Sequence, residues 1–135
     1  MAFKWKDDWA VGNEMIDFQH RELFGAIDNL IAACYVGKAL DVINKTVDFL
    51  LDYVVKHFND EENLQRSSGY PDHQNHKKLH EAFKKTAKEL GDKLKAEGPN
   101  SVLIMKINST IGEWLINHIL GEDKKIGEHL RTKNK

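Results

Sequence analysis

Apolar residues recur every three to four positions along this chain, in four stretches separated by short polar breaks. The first stripe is Leu23, Phe24, Ile27, Leu30, Ile31 and Cys34. It predicts a helix from about Asp17 to Val36, with Gly37 as its stop. Leu40, Ile43, Val47, Leu50, Val54 and Phe58 predict a second helix from about Ala39 to Arg66, ended by SSGYPD. Pro71 can open a third, from about Asp72 to Ala96, with Phe83, Ala87, Leu90 and Leu94 inward. After EGPNS a fourth begins near Ser101 and carries Ile104, Ile107, Ile111, Trp114 and Leu115. Gly121 is expected to interrupt it, leaving a short helical tail to about Leu130. Residues 1–16 read as an irregular arm holding Trp5 and Trp9.

Four amphipathic helices of similar length, joined by short connections, imply an all-α, up-down-up-down four-helix bundle. The 135 residues suit a single domain over 1–135. A net charge of −1 argues against a nucleic-acid partner and weakly against an anionic membrane surface. The one cysteine, Cys34, excludes an intrachain disulfide and reads as a small core residue. The polar N-terminus has no apolar leader core, and no apolar run reaches the roughly 20 residues needed to span a bilayer. A soluble, cytoplasmic protein is expected.

The chemistry lies in the histidines. HQNHKKLH, residues 73–80, places three of the chain's 7 histidines within eight positions. Mapped on the apolar stripes, His20 precedes Leu23 on the core face, and His57 follows Val54 with Glu61 one turn on. His76 and His80 stack on the line of Phe83 and Ala87, and His118 follows Trp114. Every helix thus sends histidine inward. One buried histidine is unremarkable, but an unpaired buried polar group costs about 1–3 kcal/mol. Five would cost on the order of 10 kcal/mol, comparable with a domain's whole stability. A metal suits imidazoles converging from four helices. Asp123 stands five residues after His118, about 140° away on an ideal helix, so it joins the set only through a break, which Gly121 supplies.

The order of these groups, in VGNEMIDFQHREL, HFNDEE, HKKLH and WLINHILGEDKK, resembles the hemerythrin family, and within it the bacterial hemerythrins. The resemblance covers nearly the whole chain. It implies two non-haem irons per chain, one held by His76, His80 and His118 and the other by His20 and His57. Glu61 and Asp123 would bridge them together with an oxo or hydroxo group. Of the twelve positions on two six-coordinate irons, three bridges fill six and five histidines fill five. One stays open, on the iron with two histidines. The resemblance implies that dioxygen binds there reversibly, for transport, storage or delivery. Reversibility requires a dry pocket, and Leu23, Phe58, Trp114, Leu115 and Ile119 stand beside the ligands to line one. His73, in the first turn after Pro71, is expected to be exposed and outside the set. His129 and the basic end, with Arg131, Lys133 and Lys135, are expected on a solvated tail.

Other classes of metal protein compete with this reading. Ferritin-like di-iron enzymes use Glu-x-x-His pairs on two helices. This chain has none, Asp17 to His20 being a lone near-miss. A di-iron oxidase, peroxidase or nitric-oxide reductase is therefore the weaker reading. An oxygen or redox sensor would need a separate partner for its output. A zinc or manganese store is open on ligand types alone. The expectation is an oxygen-binding protein and not an enzyme.

Overall fold

The computed structural model describes residues 5–133. After a short 3-10 turn at Asp7–Trp9, α1 spans Glu14–Tyr35, α2 Leu40–Ser68 and α3 His73–Glu97. A fourth helix, α4, occupies residues 101–133. Asn13 caps α1, its side-chain oxygen accepting from Ile16 N at 3.1 Å, and Asn100 caps α4 by accepting from Leu103 N at 2.9 Å. α1 ends at Gly37, whose φ of 72° lies in the left-handed region. Lys38 N donates back to Ala33 O at 3.0 Å, which closes the helix end.

α1 packs along α2 and α2 along α3, and α4 closes the bundle between α3 and α1. The four stripes meet in a core that holds Leu23, Ile27, Val47, Leu50, Val54, Phe83, Leu94, Ile107 and Ile111. Leu40, expected on the second stripe, is instead 48 % exposed. It is the first residue of α2. No described helix is long and apolar enough to cross a membrane.

The fourth helix departs from expectation in its continuity. Gly121 does not break it. Two π-helical turns, Asn108–Glu113 and Ile119–Asp123, alternate with α-helical stretches, and the chain runs on to Lys133 without leaving helical angles at the junctions. The last part is not a solvated tail either. Arg131 Nη1 donates to Val11 O at 3.2 Å, and His129 Nε2 donates to Ser68 O, at the end of α2, at 2.9 Å. The side chain of Lys133 and all of Lys135 lie outside the described residues.

These contacts clamp the N-terminal arm. Asp17 accepts from Val11 N at 2.8 Å and Gly12 N at 3.2 Å, turning the arm back toward the bundle. Val11 then crosses Gly127 so closely that a Cβ there would stand 1.9 Å from the Val11 carbonyl oxygen. Trp9 packs on Phe24 at 5.0 Å between ring centroids, and Trp5 meets Trp9 edge-on at 5.9 Å. Gly127→Ala is therefore expected to cost about 1–3 kcal/mol in chemical denaturation and to shift tryptophan emission as the arm is displaced. Gly121→Ala, with open space around its position, should stay within about 1 kcal/mol of the parent, on the stabilising side.

Candidate metal centre

The seven residues read from the stripes converge at one end of the bundle. His20 comes from the start of α1, His57 and Glu61 from the second half of α2, His76 and His80 from the start of α3, and His118 and Asp123 from α4. None is more than 5 % exposed. Their ligand atoms fall into two groups, each within 4.8 Å: Glu61, His76, His80, His118 and Asp123 in one, and His20, His57, Glu61 and Asp123 in the other. The carboxylates belong to both.

Each carboxylate is split between the groups. Glu61 Oε1 lies 2.9 Å from His76 Nε2 and 3.2 Å from His80 Nε2, while Oε2 lies 3.3 Å from His57 Nε2. Asp123 Oδ1 lies 3.0 Å from both His76 Nε2 and His118 Nε2, while Oδ2 lies 3.0 Å from His20 Nε2. The π turn at Ile119–Asp123 explains how residues five apart share this face. Its i to i+5 bonding gives the helix an extra residue per turn and brings Asp123 back under His118.

The donor set itself was tested for fit to a metal. Both oxygens of Glu61, both oxygens of Asp123 and both nitrogens of His20 are buried without an aligned hydrogen-bond partner, despite the short distances. On the three-histidine side, Nε2 of His118 lies 2.9 Å from Nε2 of His76 and 3.2 Å from that of His80. Lone pairs brought this close repel unless a cation or a proton sits among them. Burial pushes the Glu61 carboxyl up, as does the Asp123 charge, yet the surrounding imidazoles, His57 foremost, hold it below the usual carboxylate range. Burial likewise opposes ionisation of Asp123, but the imidazoles of His118, His20 and His76 together outweigh it and hold the carboxyl well below the usual carboxylate range. Burial lowers His76, but hydrogen bonding to Asp123 and Glu61 overcomes this and raises it to about 10. The centre calls for positive charge, and nitrogen and oxygen donors of this kind suit a divalent first-row metal.

Two of the five rings, His57 and His80, also have partners at their outer nitrogens, whereas Nδ1 of His20 and of His76 is buried without one. Gln19 Nε2 donates to Asp60 Oδ2 at 2.8 Å, which turns its amide oxygen toward His57; Nδ1–H of His57 donates to that oxygen at 2.8 Å. His80 Nδ1–H donates to Glu62 Oε2 at 2.9 Å. In both rings this leaves Nε2 as the lone pair facing the centre. In the sequence Glu62 carries no signal beyond standing beside Glu61.

Aromatic rings surround the three-histidine side. Phe58 stacks on His80 at 3.7 Å and 1°, and Trp114 stacks on His118 at 4.4 Å and 12°. Leu23, Phe58, Leu115 and Ile119 are buried, and Trp114 is half-buried. On the other side Trp5 of the arm approaches His20 at 6.4 Å, a neighbour that the irregular arm did not reveal in the sequence. His73 is half-buried, not exposed as expected, because its Nδ1 pairs with Gln65 Oε1 at 3.0 Å. It is in neither ligand group.

Residues 11–130 match the model of the hemerythrin HHE cation binding domain. The chain belongs to the hemerythrin family. It is 30 % identical to a bacteriohemerythrin of Stenotrophomonas maltophilia over 95 % of this chain and 81 % of that protein. It is 36 % identical to a hemerythrin-like protein of Naegleria gruberi, over 91 % of this chain and 89 % of that one. A myohemerythrin of Theromyzon tessulatum is 32 % identical, with the same coverage of 91 % and 89 %. Among solved structures, a wild-type hemerythrin superimposes with a TM-score of 0.83 at 28 % identity, covering 96 % of this chain and 98 % of that one. The fold and the His, Glu and Asp cluster are therefore those of a hemerythrin domain with a non-haem di-iron site.

A ligand assignment among the three neighbouring histidines follows from their placement. His80→Ala and His118→Ala are each expected to drop iron well below about two per chain, because each removes a donor atom. His73→Ala should retain the parent's iron. Metal analysis of purified protein decides it, and iron loss in the His73 variant equal to the other two would reverse the assignment.

Proposed function

We propose that this hemerythrin domain binds dioxygen reversibly, for transport, storage or delivery, and is not an enzyme. The observation that carries the reading is the uneven sharing of the centre: two carboxylates each offer one oxygen to a group of three histidines and the other to a group of two. His76, His80 and His118 would hold one iron, His20 and His57 the other, and Glu61 and Asp123 would span both, with an oxo or hydroxo bridge between the ions. An ion held by His20 and His57 would have one protein donor fewer than its neighbour. Bound iron supplies the electron pair that dioxygen takes up and returns.

The chain's own contribution is to hold and to shield. Gln19 and Glu62 fix the tautomers of His57 and His80, so those rings meet the metal already oriented. Leu23, Phe58, Trp114, Leu115 and Ile119 would line the pocket and keep water from the centre. Phe58 lies flat on His80 and also reaches His57, and Trp114 lies flat on His118, so these rings pack beside both histidine groups. Cys34 is buried as a small core residue, and the proposed location is the cytoplasm. Dioxygen is the proposed partner; nothing in the charge balance favours nucleic acid or a membrane.

The reduced, iron-loaded protein should be colourless or pale and should develop a visible charge-transfer band on admission of air. The band should bleach when oxygen is removed, at about two irons per chain. Rapid oxidation that removal of oxygen fails to reverse would instead support a di-iron redox enzyme, or a sensor acting through a separate partner.

A further inference from the structure

The two ring nitrogens that have outer partners differ in what those partners are. His80 Nδ1–H meets a carboxylate, Glu62, at 2.9 Å; His57 Nδ1–H meets a neutral amide, Gln19, at 2.8 Å. Glu62 and Gln19 are 4 % and 5 % exposed, so water does not blunt the difference. The two rings stand on opposite sides of the centre, His80 among three histidines and His57 with His20. An acidic charge does lie behind Gln19, but at one remove. Asp60 Oδ2 accepts from Gln19 Nε2 and also from Lys56 Nζ, both at 2.8 Å, and the Lys56 side chain is 60 % exposed. The Asp60 charge is thus shared with a cation and reaches the imidazole only through an amide.

A charged acceptor draws the Nδ1 proton toward itself and makes Nε2 a stronger donor; a neutral amide does this less. We propose that Glu62 and Gln19 are positioning residues that make the two metal positions unequal. Glu62 strengthens His80 and favours tight binding and higher charge on the three-histidine side. Gln19 keeps His57 a weaker donor and the two-histidine ion easier to return to its reduced form, as release of a reversible ligand demands. This rests on the metal-centre reading above.

The test is a stepwise Zn2+ titration of metal-free protein against a competing chelator, with circular dichroism to check the fold. The five-donor group should fill first and the four-donor group second. Glu62→Gln keeps an acceptor for His80 but removes its charge. It should weaken the first step about tenfold or more and leave the second unchanged. Gln19→Glu combined with Asp60→Asn places a charge on His57 without a competing acid behind it. It should tighten the second step about tenfold. In iron-loaded protein the same pair should move the reduction potential in opposite directions, Glu62→Gln upward, by about 59 mV for each tenfold of preference. A purely structural role predicts that both acceptor-retaining variants titrate as the parent does while Glu62→Leu and Gln19→Leu bind more weakly; that result overturns the inference and spares the metal centre. A parent protein that binds no zinc overturns both.

Discussion

Two carboxylates, Glu61 and Asp123, set the terms for the rest of this molecule. Both are almost wholly removed from water at the centre of a helical bundle. An ionised carboxylate in such a place costs several kcal/mol even after relaxation. Burial alone would neutralise them, yet both are held ionised by the imidazoles that close on them. The register of all four helices follows from this demand. A helix that slid by one residue would turn its histidine about 100° out of the cluster and leave an acid facing hydrocarbon. The apolar stripes decide that a bundle forms; the acids decide how its helices are aligned along their length.

Much of this was legible in the chain. Four apolar stripes at helical spacing gave the architecture, and helix ends at Gly37 and near Ser101 were marked by glycine and asparagine chemistry that acts locally. The histidines were legible for the same reason: spacing by three, four or seven from a stripe residue fixes a direction on any regular helix. Asp123 was the hard one, because its place depends on an irregularity. A π turn needs no signature residue, so the sequence offered only Gly121 and suggested a break. The structure reaches the same juxtaposition by winding more loosely, which keeps α4 intact as far as the arm. Leu40 went the other way. Periodicity put it on the stripe, but as the first residue of α2 it stays half exposed.

What the sequence could not convey was contact between segments distant in the chain. Gln19 stands beside His20 and holds His57 on the next helix; Glu62 stands beside Glu61 and holds His80 on the helix after that. Each outer partner is thus the sequence neighbour of one inward group and the support of another. Spacing within a helix reports the first relation and says nothing of the second. The basic C-terminal stretch was misread on the same account. Arg131 and His129 look solvated because nothing within their own helix claims them, whereas Val11 and Ser68, brought up by the fold, do.

The arm gains its meaning from the same asymmetry that divides the centre. On the three-histidine side, aromatic rings from α2 and α4 lie flat on the ligands, and the helices themselves exclude water. The two-histidine side has His20 early in α1, fully buried, where the N-terminal arm returns to the bundle. Trp5 and Trp9, folded back over Phe24 and toward His20, supply apolar surface at that edge. They stay there because Asp17 turns the chain and Gly127 lets Val11 cross α4 at close range. Gly127 lies four residues beyond Asp123 on the same helix, so the residue that completes the acid pair and the residue that seats the arm are fixed by one stretch of chain. The loosened turn that aims Asp123 also sets where Gly127 faces. Placing the acid and seating the arm beside His20 are therefore two consequences of a single helical irregularity.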